Sequence, residues 1–402
     1  MISNLSQRLP FSPFTPPLPV APSAPPPQQK QQPPPEAQIP RAVQFGADTS
    51  GCGLYRLGWV SHLLNYQSKM MVTDTTVMIT DPRWYHNVKA VRLQRQATSS
   101  QKEFVKFLNS IKKDVGFKII YEVDDVVFRE DIPDYNKFKF AFVSDEIRNN
   151  VTEIINMCDE VTVTNHFMKN LYTERTGKKE ITVIPNFPAK FWIGNYFDPA
   201  RINALYDKHK NRPRVMYAGS GAHFDVDNRT GQKDDFENVI KSIIDTRHKF
   251  RYVFMGAFPV GLRPYIENGD IEFHQWQRLY DYPKKIHDLE IQMMIAPLQD
   301  NNFNKAKSDL KYIEACAYGL PVACQNICTY EDAPIKFDNG DEMVNCLEEQ
   351  LRRAGNYKNQ THKRRKVAED RFLELDKNLD CYVELFTKPY GDPGRVNLSR
   401  YN

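Results

Sequence analysis

The chain has 402 residues, with 54 Lys+Arg against 50 Asp+Glu and a formal net charge of +4, and is long enough for two domains that each bury a core. So mild a charge neither demands nor excludes a nucleic-acid partner, while no apolar run approaches the ~20 residues that cross a bilayer. Seven cysteines, at 52, 158, 316, 324, 328, 346 and 381, form no C-x-x-C pair and no zinc-finger spacing, so free thiols are expected.

The first forty residues hold thirteen of the 27 prolines. With QQKQQ and PPP runs and almost no periodic apolar pattern, they read as a disordered or polyproline-II tail. Such a tail is a solvated spacer, or the ligand of a proline-binding protein partner. It lacks the basic n-region and unbroken apolar stretch of a signal peptide, so a soluble, cytoplasmic protein is expected.

From Arg41 the pattern alternates strand and helix. Residues 42–45 form a short apolar strand, residues 46–53 (GADTSGCG) a glycine-rich loop, and residues 55–64 a helix; this unit opens a parallel doubly wound sheet. Further strands are expected at 76–79, 90–93, 118–123, 160–164 and 181–184, with helices at 100–115 and 145–158. The strand that begins near Ile119 ends in Glu122, Asp124 and Asp125. Three clustered carboxylates repel one another unless they meet a cation, hydrogen-bond donors or a substrate; the plainer reading is a strand end whose carboxylates cap backbone amides. Pro185-Asn186 makes a turn, and His166, at a helix start, reads as structural.

A second alternation begins at Arg214. Strand 215–217 runs into a tight turn at Gly219 and Ser220, sized for a phosphate, and a helix is expected at 236–244 before strands at 252–255, 271–273 and 292–296. Residues 303–324 (FNKAKSDLKYIEACAYGLPVAC) then read as a helix and a buried strand, with Gly319 at the C-cap and Pro321 as the stop. Glu314 falls mid-helix among apolar neighbours, where a carboxylate needs donors such as ribose hydroxyls. Lys305, Lys307 and Ser308 fall just before or within the first turn, where free N–H groups and the helix dipole favour a phosphate. The plainer alternative is a solvated Lys/Glu face. The basic cluster Lys363-Arg364-Arg365-Lys366 opens one of the last helices.

Glu314, Ala315, Ala317, Gly319, Pro321 and Val322 match, in order, the ending E-A-x-A-x-G-x-P-V of the Glu-x7-Glu motif. The chain thereby resembles retaining glycosyltransferases of the GT-B fold, bacteriophage-type members in particular, over roughly residues 41 to 385. The V-x-x-S/T-N and V-I-P-N patterns at 162–186 and the Y-A-G-S-x-x-H run at 217–223 extend the resemblance. It implies two doubly wound, Rossmann-like α/β domains facing a cleft: an acceptor domain at 41–190, a nucleotide-sugar domain at 191–370 and a crossover helix and tail at 371–402.

It further implies a nucleotide-diphosphate sugar as donor substrate and no metal or other cofactor. Glu314 would bind the ribose; Gly51, Gly53, Gly219, Ser220, Lys305, Lys307 and Ser308 would bind the rest of the donor; and Asp124 or Asp125 would orient the acceptor hydroxyl. The family's first glutamate is replaced here by Ala306, and its Gly-Arg by Gly219-Ser220 followed by His223 and Asp225. Three alternatives stand beside this reading. One is a metal-dependent GT-A site at Glu122 and Asp124. Another is a phage enzyme acting on hydroxymethylated bases in DNA, anchored by Arg92, Arg95 and the 363–366 cluster. The third is a non-catalytic GT-B-like binding module.

Overall fold

The computed structural model describes residues 39–142, 144–225, 230–231, 233–352 and 357–389; the tail expected at 1–40 lies almost wholly outside them. Twelve strands form two six-stranded sheets, parallel throughout the described pairings. The first holds β1 (Arg41–Phe45), β2 (Met71–Thr75), β3 (Val88–Gln94), β4 (Lys118–Glu122), β5 (Glu160–Val163) and β6 (Ile181–Val183), in the order β2-β1-β3-β4-β5-β6. The second holds β7 (Arg214–Gly219), β8 (Arg251–Gly256), β9 (Glu272–His274), β10 (Met293–Ala296), β11 (Val322–Gln325) and β12 (Lys336–Phe337), in the order β12-β11-β10-β7-β8-β9. Strands covered on both faces must be apolar along their length, and β4 (KIIYE) is buried at every position.

Local chemistry sets the helices. Ser99–Val115 starts at a capping box made by Thr98 and Gln101 and stops at Gly116, whose φ of 89° is left-handed. Leu310–Tyr318 stops in the same way at Gly319, φ 76°. A core of rings and aliphatics joins the two sheets' helices: Tyr55, Trp59 and Trp192 pack with Ile313, Ala317 and Tyr318, and the C-terminal helix Asp376–Thr387 adds Leu379 and Tyr382. That last helix lies against the first sheet's side, where Lys69 pairs with Asp376 and Asp380 at 2.7 Å. Among the described residues no helix is long and apolar enough to cross a membrane.

Three expected elements move. The strand placed at 76–79 lies at Met71–Thr75, and Val77 and Met78 are instead 66% and 39% exposed. The helix placed at 236–244 spans Ile240–Thr246, because Phe236 is held in a preceding turn by the bond from its N–H to Asp234. The helix read in 303–324, with Lys305, Lys307 and Ser308 just before or within its first turn, begins at Leu310, and a separate short helix, Asn302–Lys305, precedes it across a turn through Ala306–Asp309.

Candidate active site

In open doubly wound sheets, ligands bind beyond the carboxyl ends of the strands where the strand order reverses. The first sheet reverses between β1 and β3, the second between β7 and β10. At the first reversal the glycine-rich loop wraps around one carboxylate: Asp48 Oδ1 accepts from the N–H of Ser50 (2.8 Å), the Ser50 hydroxyl (2.7 Å) and the N–H of Gly53 (3.1 Å). A side chain at Gly53 would collide with the Asp48 carbonyl, so this glycine is required by the loop itself; Gly51 faces open space. Arg95, at a φ of 47°, pairs with Asp48 and lies 3.3 Å from Asp124.

The acidic strand end divides into three roles. Glu122 is fully buried between Arg56 (2.6 Å) and Arg92, with the Thr162 hydroxyl also donating to it. Burial would raise its pKa, and the two guanidiniums more than reverse that, so Glu122 holds the first half together and is not a cation ligand. Asp124 has a side chain only 6% exposed. Burial raises its carboxyl above the usual range, against the pull of Arg95 and the Cys52 thiol. Asp125 is the one that opens outward, its side chain 27% exposed and 2.9 Å from Lys307 Nζ.

That ion pair joins the first sheet's half to the second. Lys307 Nζ also lies 3.9 Å above the Phe303 ring. Ser308 Oγ accepts from the Asn186 amide at 2.9 Å, and the carbonyls of Lys305 and Lys307 accept from Asn165 at 3.2 and 2.9 Å. The turn before the Leu310–Tyr318 helix is thus fastened to the V-I-P-N and T-N segments. Lys305 departs from this group: it ends the Asn302–Lys305 helix and pairs with Asp300 at 2.6 Å.

Glu314 is 7% exposed. Its Oε1 accepts from the Tyr55 hydroxyl at 2.6 Å and its Oε2 from the Tyr282 hydroxyl at 3.3 Å, so phenols from both halves meet on one carboxylate. Burial raises its pKa, against Tyr55 and Lys311. One turn earlier on the same helix, Lys311 donates to the Ala218 carbonyl at 2.7 Å and lies 5.0 Å over the Tyr217 ring; burial pushes its ammonium down to about 8. Gly219 ends β7, and a side chain there would collide with the Tyr217 hydroxyl. Ser220 caps the following turn, its hydroxyl accepting from the Ala222 N–H at 3.3 Å. Beside it, Trp276 is 65% exposed and sits against Gly256 at the end of β8, where a Cβ would come within 2.7 Å of the indole.

The structure therefore brings together Asp125, Lys307, Ser308, Glu314, Gly219 and Ser220, while Gly51 stays on the glycine-rich loop next to Cys52, whose thiol bonds Asp124. Sequence reading missed Lys311, Tyr55, Tyr282 and Trp276. Only Lys311 carried a signal: it stands three residues before Glu314, on the same helical face. Two of the cations named for a DNA acceptor are spent elsewhere. Arg92 is fully buried on Glu122. Arg365 is 6% exposed and donates to the carbonyls of Ala317 (2.6 Å) and Gly194 (3.2 Å).

Two parallel doubly wound sheets facing across such a crevice are the GT-B fold. Among solved structures, Anabaena Alr3699/HepE in complex with UDP and glucose is 10% identical, with a TM-score of 0.53 over 86% of this chain and 99% of that one. A Staphylococcus aureus TarM point mutant in complex with fondaparinux, α-GlcNAc-glycerol and UDP is 12% identical, with a TM-score of 0.50 over 74% of this chain and 55% of that one. The N-terminal domain of Candida albicans trehalose-6-phosphate phosphatase is 8% identical, with a TM-score of 0.50 over 85% and 97%. At these identities the likeness is one of fold. No protein-family profile matches the chain, and no curated protein does.

Proposed function

We propose that the chain is a glycosyltransferase that moves a sugar from a nucleotide-diphosphate sugar to an acceptor hydroxyl. The observation that carries the reading is that half-buried Lys311 and buried Glu314 stand on one face of a helix at the second sheet's reversal. An ammonium for phosphate and a carboxylate for ribose stand one helical turn apart there. The fold supports it, since HepE of this fold holds UDP and glucose. In this reading the ribose hydroxyls replace Tyr55 on Glu314, the base lies on the open Trp276 face, and the diphosphate meets Lys311, Lys307 and the turn at Gly219 and Ser220.

Leaving-group stabilisation by these fixed cations, in a site shielded from water, is the main contribution to rate. Asp125, not the buried Asp124, is placed to meet the acceptor hydroxyl, and Lys307 is its counter-ion. The E-A-x-A-x-G-x-P-V resemblance favours retention, with the acceptor attacking from the leaving-group side of a bound donor. Neither the acceptor class nor the sugar is assigned; a duplex DNA acceptor loses support because Arg92 and Arg365 are internal.

The experiment is a release assay. Purified protein incubated with UDP-, GDP-, ADP- and dTDP-glucose liberates nucleoside diphosphate from at least one, slowly to water and faster with a hydroxyl acceptor. No release from any donor, with binding intact, assigns the chain to the non-catalytic class. EDTA leaves the rate unchanged; loss on EDTA with recovery on manganese overturns the metal-independent reading.

A further inference from the structure

Beside the turn that ends β7 lies a second buried pair. His223 closes the 3-10 turn Gly221–His223 and is 8% exposed, and its Nδ1 is 2.7 Å from Asp235 Oδ2. The other oxygen of Asp235 accepts from the Tyr135 hydroxyl (2.7 Å), the Asn304 amide (2.5 Å) and the Gln299 N–H (2.9 Å). With three donors gathered on Oδ1, Asp235 is bonded as a carboxylate, and its Oδ2 acts as an acceptor toward the imidazole. The proton therefore sits on Nδ1, and Nε2, on the far side of the ring from Asp235, has no hydrogen-bond partner among the described residues.

What surrounds that ring favours an anion. The Tyr217 ring stands edge-on to His223 at 6.5 Å and 85°. The Tyr217 hydroxyl is buried, has no hydrogen-bond partner among the described residues, and abuts Gly219. Lys311 Nζ lies over the same ring. A buried hydroxyl without an acceptor, an imidazole of fixed tautomer and an ammonium thus gather about one ring beside Gly219, whose missing side chain is what lets the hydroxyl fit.

We propose that His223, oriented by Asp235, binds the donor's diphosphate through Nε2 and takes up one proton from solvent as it does so. The proposal rests on the nucleotide-sugar reading and adds to it the residue that stands in for the family's guanidinium. A neutral Nε2 is an acceptor and repels a phosphate oxygen, whereas the imidazolium donates to it; no covalent bond changes. Burial holds the imidazole below its ordinary value, despite Asp235, and Lys311 and Lys307 add to that. Asp234, next in the chain to Asp235, and Lys137 and Lys139, on the turn packed against this one, are the other charged groups nearby. A bound diphosphate offsets the lysines and removes their opposition to the proton.

The test is calorimetric titration of UDP-glucose, whose diphosphate carries no titrating proton near neutrality, into the full chain at pH 7.0 in buffers of different ionisation enthalpy. Close to one proton is taken up per donor bound. His223→Gln binds at least tenfold more weakly, with almost no uptake. Wild-type protein that binds without uptake, or a Gln variant that keeps it, overturns the role of His223 and leaves the nucleotide-sugar reading standing. If UDP-, GDP- and ADP-glucose all fail to bind wild-type protein, both fall together. The wild-type measurement decides the matter even where the variant does not fold.

Discussion

At the scale of single residues, Glu314 and Lys311 are two charges held where burial disfavours charge. Glu314→Gln keeps the shape and the Tyr55 contact but removes the ionic acceptor, worth about 1.5–3 kcal/mol for ribose hydroxyls, so donor affinity falls roughly 10- to 100-fold with the fold intact. Wild-type kinetics in this variant would make Glu314 purely structural. The pH signs of the two residues are opposite. The pKa of Glu314 is raised in the folded state, so its contribution to stability is full below the ordinary carboxylate range and is lost as pH rises through the folded value. Lys311 is lowered from 10.5 to about 8, so its contribution is full above 10.5 and lost as pH falls through about 8. Donor affinity weakens further as pH rises through about 8 and Lys311 sheds its proton; Lys311→Met removes that contribution and leaves the loss that proton uptake at His223 causes, measured as Kd against pH. Glu314 was legible because a carboxylate stands out in an apolar helix. Tyr55, 259 residues away from it, was not, since nothing local in the chain announces a contact made by folding.

At the scale of elements, the basic cluster at 363–366 shows how one stretch serves two purposes. Lys363 is exposed on the helix Tyr357–Glu369, and Lys366 is exposed and paired with Asp370. Arg365 lies inside, tying the end of the Leu310–Tyr318 helix to Gly194. Arg365→Ala therefore costs about 1.5–3 kcal/mol of unfolding free energy, while Lys363→Ala stays within about 0.5 kcal/mol; equal effects in denaturant melts would contradict this division. Charge runs look alike in sequence whichever way the helix turns. The same limit explains β2: Asp74 in MVTDT reads as a turn residue, yet its carboxylate is held by Gln44 (3.0 Å) and Ser61 across the sheet. Most other strands were legible because buried parallel strands are largely apolar, while β12, two residues long, was not. The separate helix Asn302–Lys305 was hidden because it is only four residues long, and the anchors of the turn that follows it, Asn165 and Asn186, lie far away in sequence.

At the scale of the whole molecule, both sheets reverse their strand order at the same crevice, and the contacts that cross it include Tyr55 to Glu314, Asp125 to Lys307, and Tyr135 to Asp235. The first two end on Glu314 and Lys307, the groups proposed to meet the donor, so in that reading a donor enters by exchanging them for its own contacts, while Tyr135 stays on Asp235, which orients His223. The most direct test of that account is thermal unfolding of wild-type protein and of the Lys311→Met, Glu314→Gln double variant against UDP-, GDP-, ADP- and dTDP-sugars. A donor at a hundred times its Kd stabilises wild-type protein by about 2.7 kcal/mol, and the double variant at the same concentration gains little. No stabilisation of wild-type protein by any nucleotide sugar, or equal stabilisation of the double variant, would contradict it.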